Sequence, residues 1–141
     1  MSDVPETDRI GQVLSEMYQS LSGPAGERDW AKLRELLHPQ CRHIRVTLDS
    51  DGHPTVKVMP TPEYIEDVAP FLAAEDFYEL QTALRVDIFG DIAHAWSAYD
   101  AHHEPEYDRP ARNGVNSVQL LRDGSGSWRI ICIFWQNEYH D

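Results

Sequence analysis

The stretch AHAWSAYDAHHEPEYD, residues 93–108, sets three histidines among carboxylates and aromatic rings. These are the side chains from which metal sites and acid–base sites are built. His102, His103, Glu104 and Glu106 are each competent ligands, but their spacing argues against joint action. On a continuing strand His102 and His103 point to opposite faces, and no zinc or two-histidine-carboxylate spacing is present. The sequence therefore predicts neither a metal site nor a bound cofactor here. Nucleophilic catalysis has less support still, because no G-x-S-x-G occurs and a cysteine with distant histidines is a common coincidence. Gly-Ser-Gly at 124–126 falls in a predicted hairpin with no lysine or helix after it, so it is not a phosphate cradle.

The elements around these residues decide what they can do. In DRIGQVLSEMYQSLSG, Ile10, Val13, Leu14, Met17, Tyr18 and Leu21 recur at steps of three and four, which predicts an amphipathic helix ending near Gly23-Pro24. RDWAKLRELLHP repeats the pattern with Trp30, Leu33, Leu36 and Leu37, with Asp29 as N-cap and Pro39 as stop. CRHIRVTLDSDGHPTVKVMP switches to β-branched alternation around an Asp51-Gly52 turn and reads as a hairpin. TPEYIEDVAPFLAA predicts a third helix with Thr61 as N-cap and Pro62 at the first position, broken or ended near Pro70. From Phe77 onward strand follows strand: FYELQTALRVDIF, IAHAWSAYDAHH, GVNSVQLLRD and SWRIICIFWQNE. Helices early and a long antiparallel sheet late define one α+β domain spanning 1–141, with the helices covering one sheet face.

A two-residue turn at Gly90-Asp91 makes opposed residues on its strands sum to 181, and opposed residues share a face. One face then collects Leu80, Thr82, Leu84, Val86 and Ile88 against Ala101, Tyr99, Ser97, Ala95 and Ala93. The other sets His102 against Glu79, His94 against Asp87, and Arg85 against Trp96 at cation–π distance. On this reading cross-strand pairing explains the polar residues of the opening stretch without a ligand. The last strand is apolar on both faces, with Trp128, Ile130, Cys132 and Phe134 on one and Ile131, Ile133 and Trp135 on the other. A strand of that kind must be covered twice, which predicts a homodimer through the outer sheet face.

A net charge of −12, from 24 acids against 12 bases, repels phosphate backbones and anionic membranes, so nucleic acid is not an expected partner. Cys41 and Cys132 read as reduced thiols of an intracellular protein, with a single bridge left open. The N-terminal MSDVPETDRIG has no basic or apolar leader pattern, and IICIFW at 130–135 is far too short to span a bilayer. The expectation is a cytoplasmic protein with no membrane partner.

Taken together, QVLSEMYQSLSG, DWAKLRELLHPQCRHIRV, AHAWSAYDAH and GVNSVQLLRDGSGSWRIICIFWQNE resemble the nuclear-transport-factor-two-like superfamily, which includes ketosteroid isomerases and SnoaL-like polyketide cyclases. The resemblance implies a cone-shaped, strongly bent antiparallel sheet wrapped by three N-terminal helices, with an internal pocket. It sets Tyr18 where ketosteroid isomerases carry an oxyanion-hole tyrosine, and Trp135 where they carry a pocket tryptophan. The position of their general-base aspartate falls near Ile44 and Arg45, and that of the acidic oxyanion donor near Asn116 or Ser117. With two of the three catalytic parts replaced, ketosteroid isomerase activity is not expected. His43 is the nearby group able to transfer protons near neutral pH, so Tyr18 and His43 are the catalytic candidates. The pocket is predicted to be lined by Ser97, Tyr99, Ser117, Gln119 and Trp135 and capped by Tyr18 and Phe71. Of the two phases open to the 115–121 strand, this takes the one turning Ser117 and Gln119 inward. Such a pocket suits a small apolar molecule. Two functions follow: a binding protein, or an isomerase, cyclase or dehydratase acting on a polyketide- or steroid-like substrate.

Overall fold

The computed structural model describes residues 5–103 and 112–139. In chain order these form α1 (Glu6–Leu21), α2 (Trp30–Leu36), β1 (Leu37–Leu48), β2 (Pro54–Pro60), α3 (Thr61–Ala74), β3 (Tyr78–Phe89), β4 (Ile92–His102), β5 (Arg112–Arg122) and β6 (Trp128–Tyr139). The strands make one sheet in the order β2-β1-β6-β5-β4-β3. Its neighbours are antiparallel except β1 and β6, which run parallel. The sheet is thus mixed and unclosed, not wholly antiparallel, because β6, the last strand of the β3–β6 meander, also pairs in parallel with β1.

The amphipathic periodicity of α1 places Ile10, Leu14, Met17, Tyr18 and Leu21 in the core. This helix packs over β3, α2 over β1 and β6, and α3 over β1 and β2, all on one face of the sheet, called here the inner face. Asp29 caps α2 as predicted, its carboxylate accepting the Lys32 N–H at 3.1 Å. Strand β1 begins at Leu37, so Pro39 lies inside a strand and the register against β6 is irregular between Leu37 and Arg42. Proline has no N–H for the ladder, which accounts for an interruption rather than a stop at that point. In α3, Thr61 is not the cap. Pro60 holds that position, and the Thr61 hydroxyl turns to His43 instead. The helix also runs through Pro70 to Ala74, with the proline on its exposed side, where water can serve the freed carbonyl.

Two β-bulges change which side chains face inward. The 181 rule holds from Phe89↔Ile92 to Ala83↔Ala98, with Gly90 at φ 59° supplying the turn. Thr82 is then extra, and Gln81↔Tyr99 and Glu79↔Ala101 follow. A one-residue slip exchanges the faces of everything beyond it. Glu79 and Gln81 therefore join Tyr99 and Ala101 on the inner face. The predicted Glu79–His102 pairing is replaced by Tyr78↔His102.

The second bulge makes Ile131 extra between the Ile130↔Leu120 and Cys132↔Gln119 pairs. Trp128 and Ile130 before it, and Ile133 and Trp135 after it, all turn inward. Phe134 turns outward. The apparent double apolarity of this strand is thus largely one inner face interrupted by a bulge. On β5 the inward residues are Asn116, Val118 and Leu120, so Ser117 and Gln119 face the opposite side. Tyr99 lies over Gly114, where a Cβ would collide with its ring, so this position requires glycine. No helix among the described residues is long and apolar enough to cross a membrane.

Candidate functional site

A cavity of about 400 Å³ lies between the helices and the inner sheet face. Its apolar wall includes Met17, Leu21, Leu33, Val68, Leu72 and Ile133, and its polar wall includes His43, Arg45, Tyr64, Asp67, Glu79 and Asn116. Phe71, Tyr99 and Trp135 line it as well. Ladder register explains the juxtaposition of distant residues: Arg45 pairs with Trp135, Trp135 with Asn116, and Asn116 with Ser97. One inward row thus crosses four strands.

Tyr18 and Ser97 stand behind this wall rather than in it. Asn116 Nδ2 donates to Tyr18 Oη at 3.0 Å, and Tyr18 Oη lies 2.5 Å from Ser97 Oγ. Ser97 Oγ donates to Gln81 Oε1 at 2.7 Å. The serine proton goes to Gln81, so the tyrosine proton goes to Ser97, and the chain runs one way from Asn116 to Gln81. Burial pushes the Tyr18 phenol up to about 12, with its two hydrogen bonds opposing only part of that rise. Of the two positions open for the acidic donor, Asn116 faces inward.

His43 has the opposite environment. It is 1% exposed, its ring stacks on Tyr64 with centroids 4.2 Å apart, and its Nε2 lies 3.1 Å from Thr61 Oγ1. Its Nδ1 is buried and has no hydrogen-bond partner among the described residues. Burial lowers its pKa to about 4, so the imidazole is neutral at ordinary pH. Burial likewise pushes the Tyr64 phenol well above the usual range. Tyr64 in turn meets Trp135 edge-on at 6.1 Å.

The charged part of the wall was not foreseen. Arg45 Nη2 donates to Asp67 Oδ2 at 2.6 Å, and Lys57 Nζ reaches Asp67 Oδ1 at 3.2 Å. The hydrogen bond from Arg45 holds the Asp67 carboxyl below its ordinary range; burial opposes it, and the hydrogen bond from Lys57 adds to it. Arg45 also lies over the Trp135 ring at 5.6 Å. The sequence signal for this group was an arginine at an inward β1 position, two residues from His43, with an acid on the helix that packs against that strand.

Ser117 and Gln119 are corrected: both lie on the outer face, and Ser117 Oγ is 2.9 Å from His94 Nε2 there. His94 does pair in register with Asp87, and Arg85 with Trp96, while the Arg85 guanidinium lies 3.4 Å from Asp87. His102 is buried and His103 exposed, with His103 Nδ1 3.1 Å from the Asp76 carbonyl. Glu104 and Glu106 lie outside the described residues. Asp49, Asp51 and His53 could offer three ligand atoms to a cation at the exposed β1–β2 turn. The Asp49 carboxylate already accepts the N–H groups of Asp51 and His53 at 2.9 Å, which explains the cluster as a turn. Both cysteines are free thiols, with Cys41 buried and pushed up to about 12 chiefly by that burial.

No family model and no curated protein matches the sequence. Solved structures do match the fold. An NTF2-like protein of unknown function from Shewanella baltica OS155 is 17% identical over 99% of both chains, with a TM-score of 0.69. A protein of unknown function with a cystatin-like fold from Nostoc punctiforme PCC 73102 is 11% identical over 98% of this chain and 96% of its own, with a TM-score of 0.72. A candidate dehydratase of the NTF2-like family from Streptomyces avermitilis is 15% identical over 96% and 97%, with a TM-score of 0.69. The chain is an α+β protein with the NTF2-like fold, the one its sequence resembles. At such identities the likeness carries the fold and leaves the chemistry to the site.

Proposed function

We propose that this protein binds a small, largely apolar molecule in the cavity, with the sheet bent around it as a cone. The observation that carries the reading is His43, which lines the cavity with its Nδ1 buried and without a partner among the described residues. An unmade hydrogen bond of this kind costs on the order of 1–3 kcal/mol. A hydroxyl or carbonyl of a bound molecule at that atom would remove the cost, and the flanking apolar wall would bury its body. Titration calorimetry with steroid-like, polyketide-like and fatty-acid-like probes tests this. Stoichiometric binding that weakens in Trp135→Ala is expected; no heat from any probe in a folded protein would reject it.

A second reading, an isomerase, cyclase or dehydratase, is favoured by the same histidine. A neutral imidazole against a cavity can accept a proton at pH 7, and one structural neighbour is named for dehydration. Tyr18 is the weaker candidate, because its phenol is hydrogen-bonded on both sides and is a poor acid. Turnover that falls as pH drops toward 4, and disappears in His43→Ala while binding persists, would establish the enzyme.

The outer face carries a homodimer in this account. Val115, Phe134, Trp96, Val58 and Val56 are between 43 and 61% exposed, and ladder pairing puts them on that one face. Such a patch is costly on a monomer. Sedimentation at micromolar concentration should give twice 16.2 kDa, and Phe134→Glu should give the single chain; a wild-type monomer removes the proposal.

A further inference from the structure

We infer that the bound molecule is amphipathic and carries a carboxylate head, which sits on Arg45 and Lys57 while the apolar body extends toward Leu33 and Ile133. The inference rests on the ligand-binding reading and adds the chemical class of the ligand. It starts from an unbalanced cluster. Asp67 gives one oxygen to Arg45 and the other to Lys57, so two cations share a single anion and one positive charge is left over. That surplus stands on a chain whose net charge is −12.

The guanidinium has five N–H donors. Among the described residues it spends one, on Asp67. Its Cζ lies 5.6 Å from the Trp135 ring centroid and its side chain is about one-quarter exposed, so the remaining donors belong to the cavity wall. A planar fork of this kind suits a carboxylate, which can accept two parallel hydrogen bonds from it.

Exposure along β1 gives the ligand its orientation. His43 is buried, the Arg45 side chain is partly open and Thr47 is exposed, and all three line the cavity. The charged head therefore belongs at the solvent end near Arg45, and the apolar body at the buried end. Glu79, the other carboxylate in the wall, offsets that surplus over the cavity as a whole, but it is on β3, at the opposite edge in strand order from Lys57 on β2, so the positive end of the cavity is the Arg45 end.

Calorimetry at pH 7.5 with two isosteric pairs, decanoate with decanamide and 2-naphthoate with 2-naphthamide, isolates the charge of the head. The acid is expected to bind about tenfold more tightly than its amide, the difference between a charge-assisted and a neutral pair. Lys57→Met, a change at a half-exposed position that should not disturb folding, and Arg45→Met should each weaken the acid more than its amide and so narrow the gap between them. Asp67→Asn should strengthen the acid several-fold, because it frees both cations. An amide that binds as well as its acid, or decylamine binding more tightly than decanoate, overturns the head assignment and leaves the cavity reading standing. If neither member of either pair binds the folded protein, the cavity reading falls and this inference with it.

Discussion

Tyr18 and His43 are both buried polar residues beside the same cavity, one on α1 and one on β1, and the fold treats them differently. The phenol belongs to a closed chain in which Asn116, Ser97 and Gln81 satisfy one another. The imidazole keeps one nitrogen unpaired and lies against the cavity with Tyr64, next to an arginine with unspent donors. Satisfied buried networks rigidify a fold, whereas a buried group without a partner is a standing cost that only some further partner removes. The resemblance sets the tyrosine at a catalytic position. The hydrogen-bond accounting instead leaves the histidine with a nitrogen to spare beside the cavity.

The comparison breaks most visibly at Tyr18. Tyr18→Ala should destabilise the protein by about 3–5 kcal/mol, since it opens a void and strands Asn116 and Ser97. Tyr18→Phe, which keeps the ring, should cost about 1–3 kcal/mol and leave ligand affinity unchanged. Urea titrations at pH 7 measure both. A Tyr18→Phe variant of full stability that no longer binds ligand would make the phenol part of the site after all.

A smaller effect sharpens the other half of the contrast. The folded-state pKa of His43 is lowered from 6.5 to about 4, so below pH 6.5 the unfolded chain takes up a proton that the folded chain refuses. The contribution of His43 to stability is therefore complete above pH 6.5 and is lost as pH falls toward 4, by at most on the order of 3 kcal/mol. Burial lowers His102 too, which adds a slope of the same sign. His43→Phe should flatten stability against pH between 6.5 and 4 but not abolish its slope. An unchanged slope would mean that the imidazole is not held neutral.

Much of the scaffold was legible because it follows local periodicity. The buried face of α1, the Asp29 cap and the Gly90-Asp91 turn depend on residues a few positions apart. What escaped was register. Thr82 and Ile131 look like any other strand residues, yet each is the extra one at a bulge, and whether a ladder slips there is decided by the partner strand. That is why Glu79 was assigned to the wrong face and why β6 read as apolar on both sides. The phase of the 115–121 strand was open between two, and its continuous register with β4 turns Asn116, not Ser117 and Gln119, inward. Of the predicted pocket residues, Phe71, Tyr99 and Trp135 line the cavity, and so does the catalytic candidate His43. Arg45 and Asp67 are 22 positions apart on elements that meet only in the folded state, so the sequence offered the two residue types but not their pairing.

The most direct test of the claim that the open polar cluster, not the closed one, serves the ligand is a two-dimensional NMR titration with decanoate. The account predicts large shifts at the His43 ring and the Trp135 indole N–H, with the Tyr18 ring and the outer-face Trp96 indole left in place. Shifts confined to Trp96, or shifts at Tyr18 with His43 and Trp135 unmoved, would contradict it.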